Sequence, residues 1–286
     1  MNINKWIFFA LLFLVMVGFK PAESLSAQTG QMGKLWVSST DDDSNPRWAT
    51  LADFENPGLV FCRGYYEQSL SEDGVYGWFV DYPGLDYNFL VRLSELTKVR
   101  VNFDAKKDPV YVVVRLDSPL LFKCPVLFLS DVGTIGLTES EINNLRAYIK
   151  KGGFLWVDDF WGSAGWNHWE SQIGKVLTPS FYPIIDIPKN HPIMHQFLNV
   201  FEIPQIPSIG FWYGNKRTSE RGDDSKDVHF RGIEDSRGRL IVVMTHNTDI
   251  GDALERVAYD TGEYFYKFSP IGYAIAINIF LYALTH

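Results

Sequence analysis

Two adjacent carboxylates, Asp158 and Asp159, close the apolar run Phe154-Leu-Trp-Val157, and Phe160, Trp161 and Gly162 follow at once. Ligands of open α/β sheets sit at the carboxyl ends of strands. An acid pair there is placed to act as a base, bind a cation or hold ligand hydroxyls. A turn role competes, because Asp also satisfies free backbone N–H groups where loops begin. A second polar cluster, His246-Asn-Thr-Asp249-Ile-Gly-Asp252-Ala-Leu-Glu255, directly follows the apolar run at 240–245. Asp252 and Glu255 have the spacing of a capping box and are assigned to it, which leaves His246, Asn247 and Asp249 as site candidates. Arg63, at the end of a first core strand, belongs to a polar series with Asp81, Asp86, Asn88 and Arg92. It is expected to neutralise an acid at the sheet edge or an acidic ligand, or else to form a buried structural ion pair. His191 and His195 lie four apart, but Pro192 stands where a zinc protease needs its glutamate, so cap and loop roles are expected for both.

The elements that must position these groups follow from pattern. Residues 59–66, 99–103, 110–116, 125–130, 154–157, 182–187 and 240–245 read as strands, the fully apolar 125–130 as one buried in a parallel sheet. Asp86 is read as the N-cap of a helix to Leu96. Thr138-Glu-Ser-Glu141 is a capping box opening a helix that Gly152 stops. Residues 125–158 thus form a strand–helix–strand unit. A short helix is expected over 166–177, an irregular loop or flap over 202–238, and a buried final helix from Ser269 and Pro270 to about Leu284.

Composition narrows the function classes. The net charge of −8 argues against nucleic acid as a partner. No Gly-rich phosphate loop and no Gly-x-Ser-x-Gly elbow occurs, which disfavours standard nucleotide binding and serine hydrolase chemistry. Lys5, an apolar run over 6–19 and small residues near Ala27 have the layout of a secretory signal peptide, expected at 1–27. The run is shorter than the ~20 residues of a spanning helix; an uncleaved anchor is the alternative. Residues 28–54 read as a polar arm and 55–286 as one α/β domain. The two cysteines, Cys62 and Cys124, fit either a disulfide or two buried thiols.

Several stretches together resemble the bacterial domain-of-unknown-function family 4159, a relative of the class I glutamine amidotransferase-like fold. They are Asp81-Tyr-Pro-Gly-Leu-Asp-Tyr-Asn-Phe-Leu-Val-Arg-Leu-Ser-Glu-Leu-Thr97, Gly152 to Gly162, His191-Pro-Ile-Met-His195, Pro204-Gln-Ile-Pro207, His246 to Asp252 and Ala283-Leu-Thr-His286. The resemblance implies a flavodoxin-like three-layer sandwich with a mostly parallel sheet. It also implies an elbow where active amidotransferases present a cysteine nucleophile. Here Asp158 and Asp159 stand at that elbow, so amide transfer through a thioester is not expected. Sugar-linked relatives that lack the cysteine keep a glycan among the expected ligands, by fold analogy alone. Members placed near MoxR-type ATPases and von Willebrand A-type proteins imply a protein partner.

The resulting expectation is an exported cell-envelope binding or scaffold protein, periplasmic or extracellular, with no membrane span after signal cleavage. It would hold a polar small molecule, a glycan or an envelope protein at the strand ends through Arg63, Trp161, Asn247 and Asp249, without a cofactor. The alternative is a hydrolase, assisted by a divalent metal, using Asp158, Asp159, His246 and Asp249.

Overall fold

Strands whose residues are apolar on both faces can pair only inside a covered sheet, and four such runs set the centre of this protein. A computed structural model describes residues 45–71 and 76–286; the expected signal peptide and most of the polar arm lie outside the described residues. In chain order the elements are β1 (Phe61–Tyr65), β2 (Glu67–Gln68), α1 (Gly84–Leu96), β3 (Tyr111–Arg115), β4 (Val126–Ser130), β5 (Ile135–Gly136), α2 (Glu139–Lys150), β6 (Phe154–Phe160), α3 (Gly162–Val176), β7 (Ile184–Asp186), α4 (Ile209–Asn215), β8 (His229–Glu234), β9 (Leu240–His246), α5 (Ile250–Glu255) and α6 (Ala258–Thr285). The main sheet has the order β3-β1-β4-β6-β9-β8-β7. Its first five strands are parallel, and β8 and β7 add antiparallel at one edge. β2 and β5 form a separate two-stranded ribbon.

Strand alternation divides the core in two. Phe61, Phe128, Phe154, Trp156 and Val243 face α1, α5 and α6. Cys62, Leu127, Leu129, Leu155, Val157 and Met244 face α2 and α3. The result is the expected α/β three-layer sandwich with a mostly parallel sheet. From β1 the chain crosses outward to β3, then returns to lay β4 on the other side of β1. That reversal opens a crevice beyond the carboxyl ends of β1 and β4.

Several local expectations give way to tertiary context. β6 does not stop at Val157: it runs to Phe160, with a register shift against β9 between Val157 and Phe160, so both acids lie within the strand end. The stretch 202–238 is not structureless. It carries α4 and β8, and β8 buries Phe230 and Ile233 against neighbouring strands although its sequence mixes charge with apolar residues. Residues 99–103 contribute only isolated bridges, from Val101 and Phe103. The last helix begins not at Ser269 but at Ala258, bends at Gly262 (φ 30°, ψ −94°), and carries Pro270 in its interior. The local cap signal is overridden by burial of α6 against the sheet. By length and composition Thr261–Thr285 could cross a membrane, yet 67% of its apolar window is buried inside the protein. Cys62 and Cys124 form a disulfide, tying β1 to the segment that enters β4.

Candidate functional site

The crevice is built first by a buried cation. Arg63, fully buried on β1, pairs with Asp86: Nε donates at 3.1 and 3.0 Å and Nη2 at 2.7 Å. Its Nη1 donates to the carbonyls of Trp78 (3.0 Å) and Val80 (2.9 Å). Asp86 is therefore an ion-pair partner inside the first turn of α1, not its N-cap. With its guanidinium spent on these three groups, Arg63 fixes the loop that delivers Asp81 to the strand ends.

Three aspartates at those ends hold left-handed backbone: Asp81 (φ 60°), Asp131 (φ 55°) and Asp159 (φ 56°). Asp tolerates this region better than most side chains, but each instance still costs of order 1 kcal/mol. Asp131 follows β4, and its Oδ2 accepts from the N–H groups of Tyr76 (2.7 Å) and Gly77 (2.8 Å). Asp159 accepts from Trp161 Nε1 at 2.9 Å. From the β9 side, Asp249 is the N-cap of α5, its Oδ1 accepting from the N–H of Asp252 at 2.7 Å. The predicted Asp252–Glu255 capping box is not formed, because Asp249 takes the cap. Asp252 instead pairs with Arg256 and accepts from the N–H of Ile209 at 3.1 Å, while Glu255 meets the same guanidinium at 2.7 Å.

These groups line a cleft of ≈ 390 Å³ with Tyr76, Phe79, Phe160 and Trp161 as its aromatic walls and Ser208, Glu220 and Arg221 descending from the segment around α4. Its described lining holds seven acidic side chains (Asp81, Asp131, Asp159, Glu220, Asp249, Asp252, Glu255) and two basic ones (Arg221, Arg256). One oxygen each of Asp81, Asp249 and Asp252 lies within 4.8 Å of the others. Burial, reinforced by Asp252 and Glu255, holds the Asp81 carboxyl well above the usual range. Burial and the charges of Asp131 and Asp81 do the same to Asp159, and burial with Asp159 and Asp81 to Asp249. Crowded, desolvated carboxyls of this kind hold protons or attract cations.

Of the residues singled out from sequence, Asp159, Trp161 and Asp249 meet in this cleft. Asp158 lies beneath it, fully buried, with Oδ2 accepting from the N–H of Gly251 at 2.8 Å and Oδ1 from the Thr245 hydroxyl. Burial pushes its carboxyl up to about 7. Asn247 braces the floor: Oδ1 accepts from the N–H of Gly162 and Nδ2 donates to the carbonyl of Asp227, both at 2.7 Å. His246 packs on the far side, between the rings of Phe160 (4.9 Å) and His229 (5.4 Å), with Nε2 3.0 Å from the Gly162 carbonyl. Burial lowers its pKa to about 4, so the ring is neutral. Arg63, Asp158, His246 and Asn247 thus hold the cleft without lining it. His191 caps a short turn, Nδ1 accepting from the N–H of Ile193 at 3.2 Å, and His195 bonds the Lys189 carbonyl; neither lines the cleft.

Sequence reasoning did not single out Asp131, Glu220, Arg221 or Arg256. Asp131 had a readable signal, an acid directly after the buried strand 126–130. Glu220 and Arg221 had none, because only the fold lays their segment over the strand ends.

One family model, described as Domain of unknown function (DUF4159), matches residues 77–284, which include every cleft residue named above except Tyr76. No curated protein matches the chain.

Proposed function

We propose, since the chain belongs to the DUF4159 family, whose description names no reaction, that it is a binding protein whose strand-end cleft takes a polar, hydroxyl-rich ligand of the glycan class. The observation that carries this reading is the meeting of Asp81, Asp159 and Asp249 with Tyr76, Phe79 and Trp161 in one cleft. Carboxyl groups at raised pKa both donate to and accept from hydroxyls. Aromatic faces cover the apolar faces of a sugar ring.

Further support comes from the elbow. Asp159, with its left-handed backbone at the end of β6, occupies the place that an amidotransferase-like fold would give a nucleophile. A carboxylate there, with both cysteines of the sequence joined to each other, argues for a divergent, non-amidotransferase member of that fold. An exported, envelope-located protein is supported by the signal-like residues 1–27 and by the disulfide, which persists in oxidising compartments. The hydrolase alternative has less support: of Asp158, Asp159, His246 and Asp249, only Asp159 and Asp249 line the cleft.

The test is a glycan array followed by titration calorimetry on the best hit. Asp159→Asn and Tyr76→Ala are each expected to weaken binding at least about tenfold, the scale of one lost charge-assisted hydrogen bond or stacking contact. An array without hits, or variants that bind as wild type does, would reject the reading.

A further inference from the structure

We propose that Asp81, Asp249 and Asp252 form a divalent-cation site of the calcium class in the floor of the cleft. The site shares the cleft of the binding reading but does not depend on the ligand being a glycan.

The geometry comes first. The three carboxylate oxygens lie within 4.8 Å of one another. Calcium takes oxygen ligands at about 2.3–2.6 Å, so two oxygens across one ion stand up to about 5 Å apart. The three acids can therefore share one centre without backbone movement. Magnesium, at about 2.0–2.1 Å, demands near-ideal octahedral geometry and usually keeps several waters, so a set of three protein carboxylates suits the more flexible calcium better. The donor set holds no histidine or thiolate, which disfavours zinc.

A separate observation asks for a ligand. Asp81 Oδ2 is buried and has no hydrogen-bond partner among the described residues. It is pressed beneath Gly251, where an added Cβ would stand 2.4 Å from it. Asp249 is only 2% exposed, and only its Oδ1 meets a described donor, the N–H of Asp252. Its other oxygen is left for the cleft that Asp249 lines. Buried carboxylates without donors are costly unless something neutralises them. The nearby guanidinium, Arg256, is already shared between Asp252 and Glu255. A cation held by Asp81 and Asp249, with Asp252 as third ligand, supplies the missing charge. Its remaining coordination positions face the cleft and would take water or the hydroxyls of a ligand.

The full chain, stripped by chelation, is titrated with Ca²⁺, Mg²⁺ and Mn²⁺ by calorimetry and thermal melting. Tb³⁺ emission excited through tryptophan gives a spectroscopic readout, since Trp161 lines the same cleft. The expected result is a single Ca²⁺ site, a raised melting temperature and sensitised Tb³⁺ emission. Asp81→Asn and Asp249→Asn should each weaken Ca²⁺ by more than the roughly tenfold typical of losing a group that only supports a ligand. Asn keeps the N-cap at 249 and tolerates the left-handed backbone at 81, so both variants should fold in metal-free buffer, as circular dichroism will show. If one does not, the other decides. Asp235→Asn, whose carboxylate bonds Arg237 and Arg239 in the β8–β9 turn, should bind as wild type does. No response of the wild type to millimolar Ca²⁺, a response to Mg²⁺ alone, or equal binding by the folded variants would overturn the assignment. No glycan enters this experiment, so its failure is distinct from failure of the binding reading.

Discussion

At the scale of single residues, Asp158 and Asp159 do different work although they are neighbours in sequence. A strand turns alternate side chains to opposite faces, and the bulge at the end of β6 re-aims the next one. Asp159 reaches the cleft, while Asp158 goes under it and holds the start of α5 through Gly251. Asp158 is held at about 7 against an ordinary 3.8, chiefly by burial. The folded state therefore binds this proton more tightly than the unfolded chain. Its contribution to stability is whole below about pH 4 and is lost as pH rises to about 7. His246 runs the other way: lowered to about 4 from 6.5, it contributes fully above pH 6.5 and loses that contribution as pH falls toward 4. The two oppose each other over this window, so the net profile is shallow and a difference experiment is needed. Asp158→Asn keeps an acceptor for Gly251 and a partner for Thr245. Urea unfolding at successive pH values should show the variant gaining on wild type by up to about 1.4 kcal/mol per pH unit between pH 4 and 7, and by nothing more above that. A gap independent of pH would mean that Asp158 is ionised throughout.

At the scale of elements, local signals succeeded where the chain makes its own partners. Thr138 Oγ1 accepts from the N–H of Glu141 at 3.3 Å and Glu141 Oε2 accepts from the N–H of Thr138 at 2.9 Å, the reciprocal pair read from four letters of sequence. Thr138→Ala should cost about 1 kcal/mol in denaturant unfolding, since it strips α2 of its cap. A loss within experimental error would show that packing alone fixes the helix start. Local signals failed where a distant group competed. Asp86 was readable as a cap, but Arg63, twenty-three positions earlier, claims it. Asp252 was readable as a cap, but Asp249 stands one turn earlier and Arg256 one turn later. Asp86 is lost as a cap because a charged guanidinium outbids a backbone N–H, and Asp252 because Asp249 already caps the helix and Arg256 takes its carboxylate.

At the scale of the molecule, the disulfide and the sheet reversal act together. Cys62 and Cys124 are 62 positions apart, and their bond closes a loop that contains α1, β3 and the Asp81 turn. Loop-entropy reasoning assigns such a crosslink up to about 4 kcal/mol of stability. The Cys62→Ala, Cys124→Ala double variant should melt at a lower temperature than wild type, and reductant should lower the wild type toward it. If reductant leaves the wild type unchanged, the thiols do not support the fold through a bond. The same loop carries one wall of the cleft, so its loss should also loosen the position of Asp81.

The sequence alone determined the layers. Apolar runs long enough for strands, a capping box and a glycine stop made an α/β sandwich legible, and an acid pair at a strand end marked where to look. Only the tertiary structure decided which acids meet. Periodicity reports the face a side chain takes within its own element, whereas the cleft is assembled from five chain segments, four of them at strand ends brought together by strand order. Asp81, Asp131, Asp159 and Asp249 are spread over 168 positions and become neighbours because β1, β4, β6 and β9 lie side by side in parallel, with their carboxyl ends at one edge.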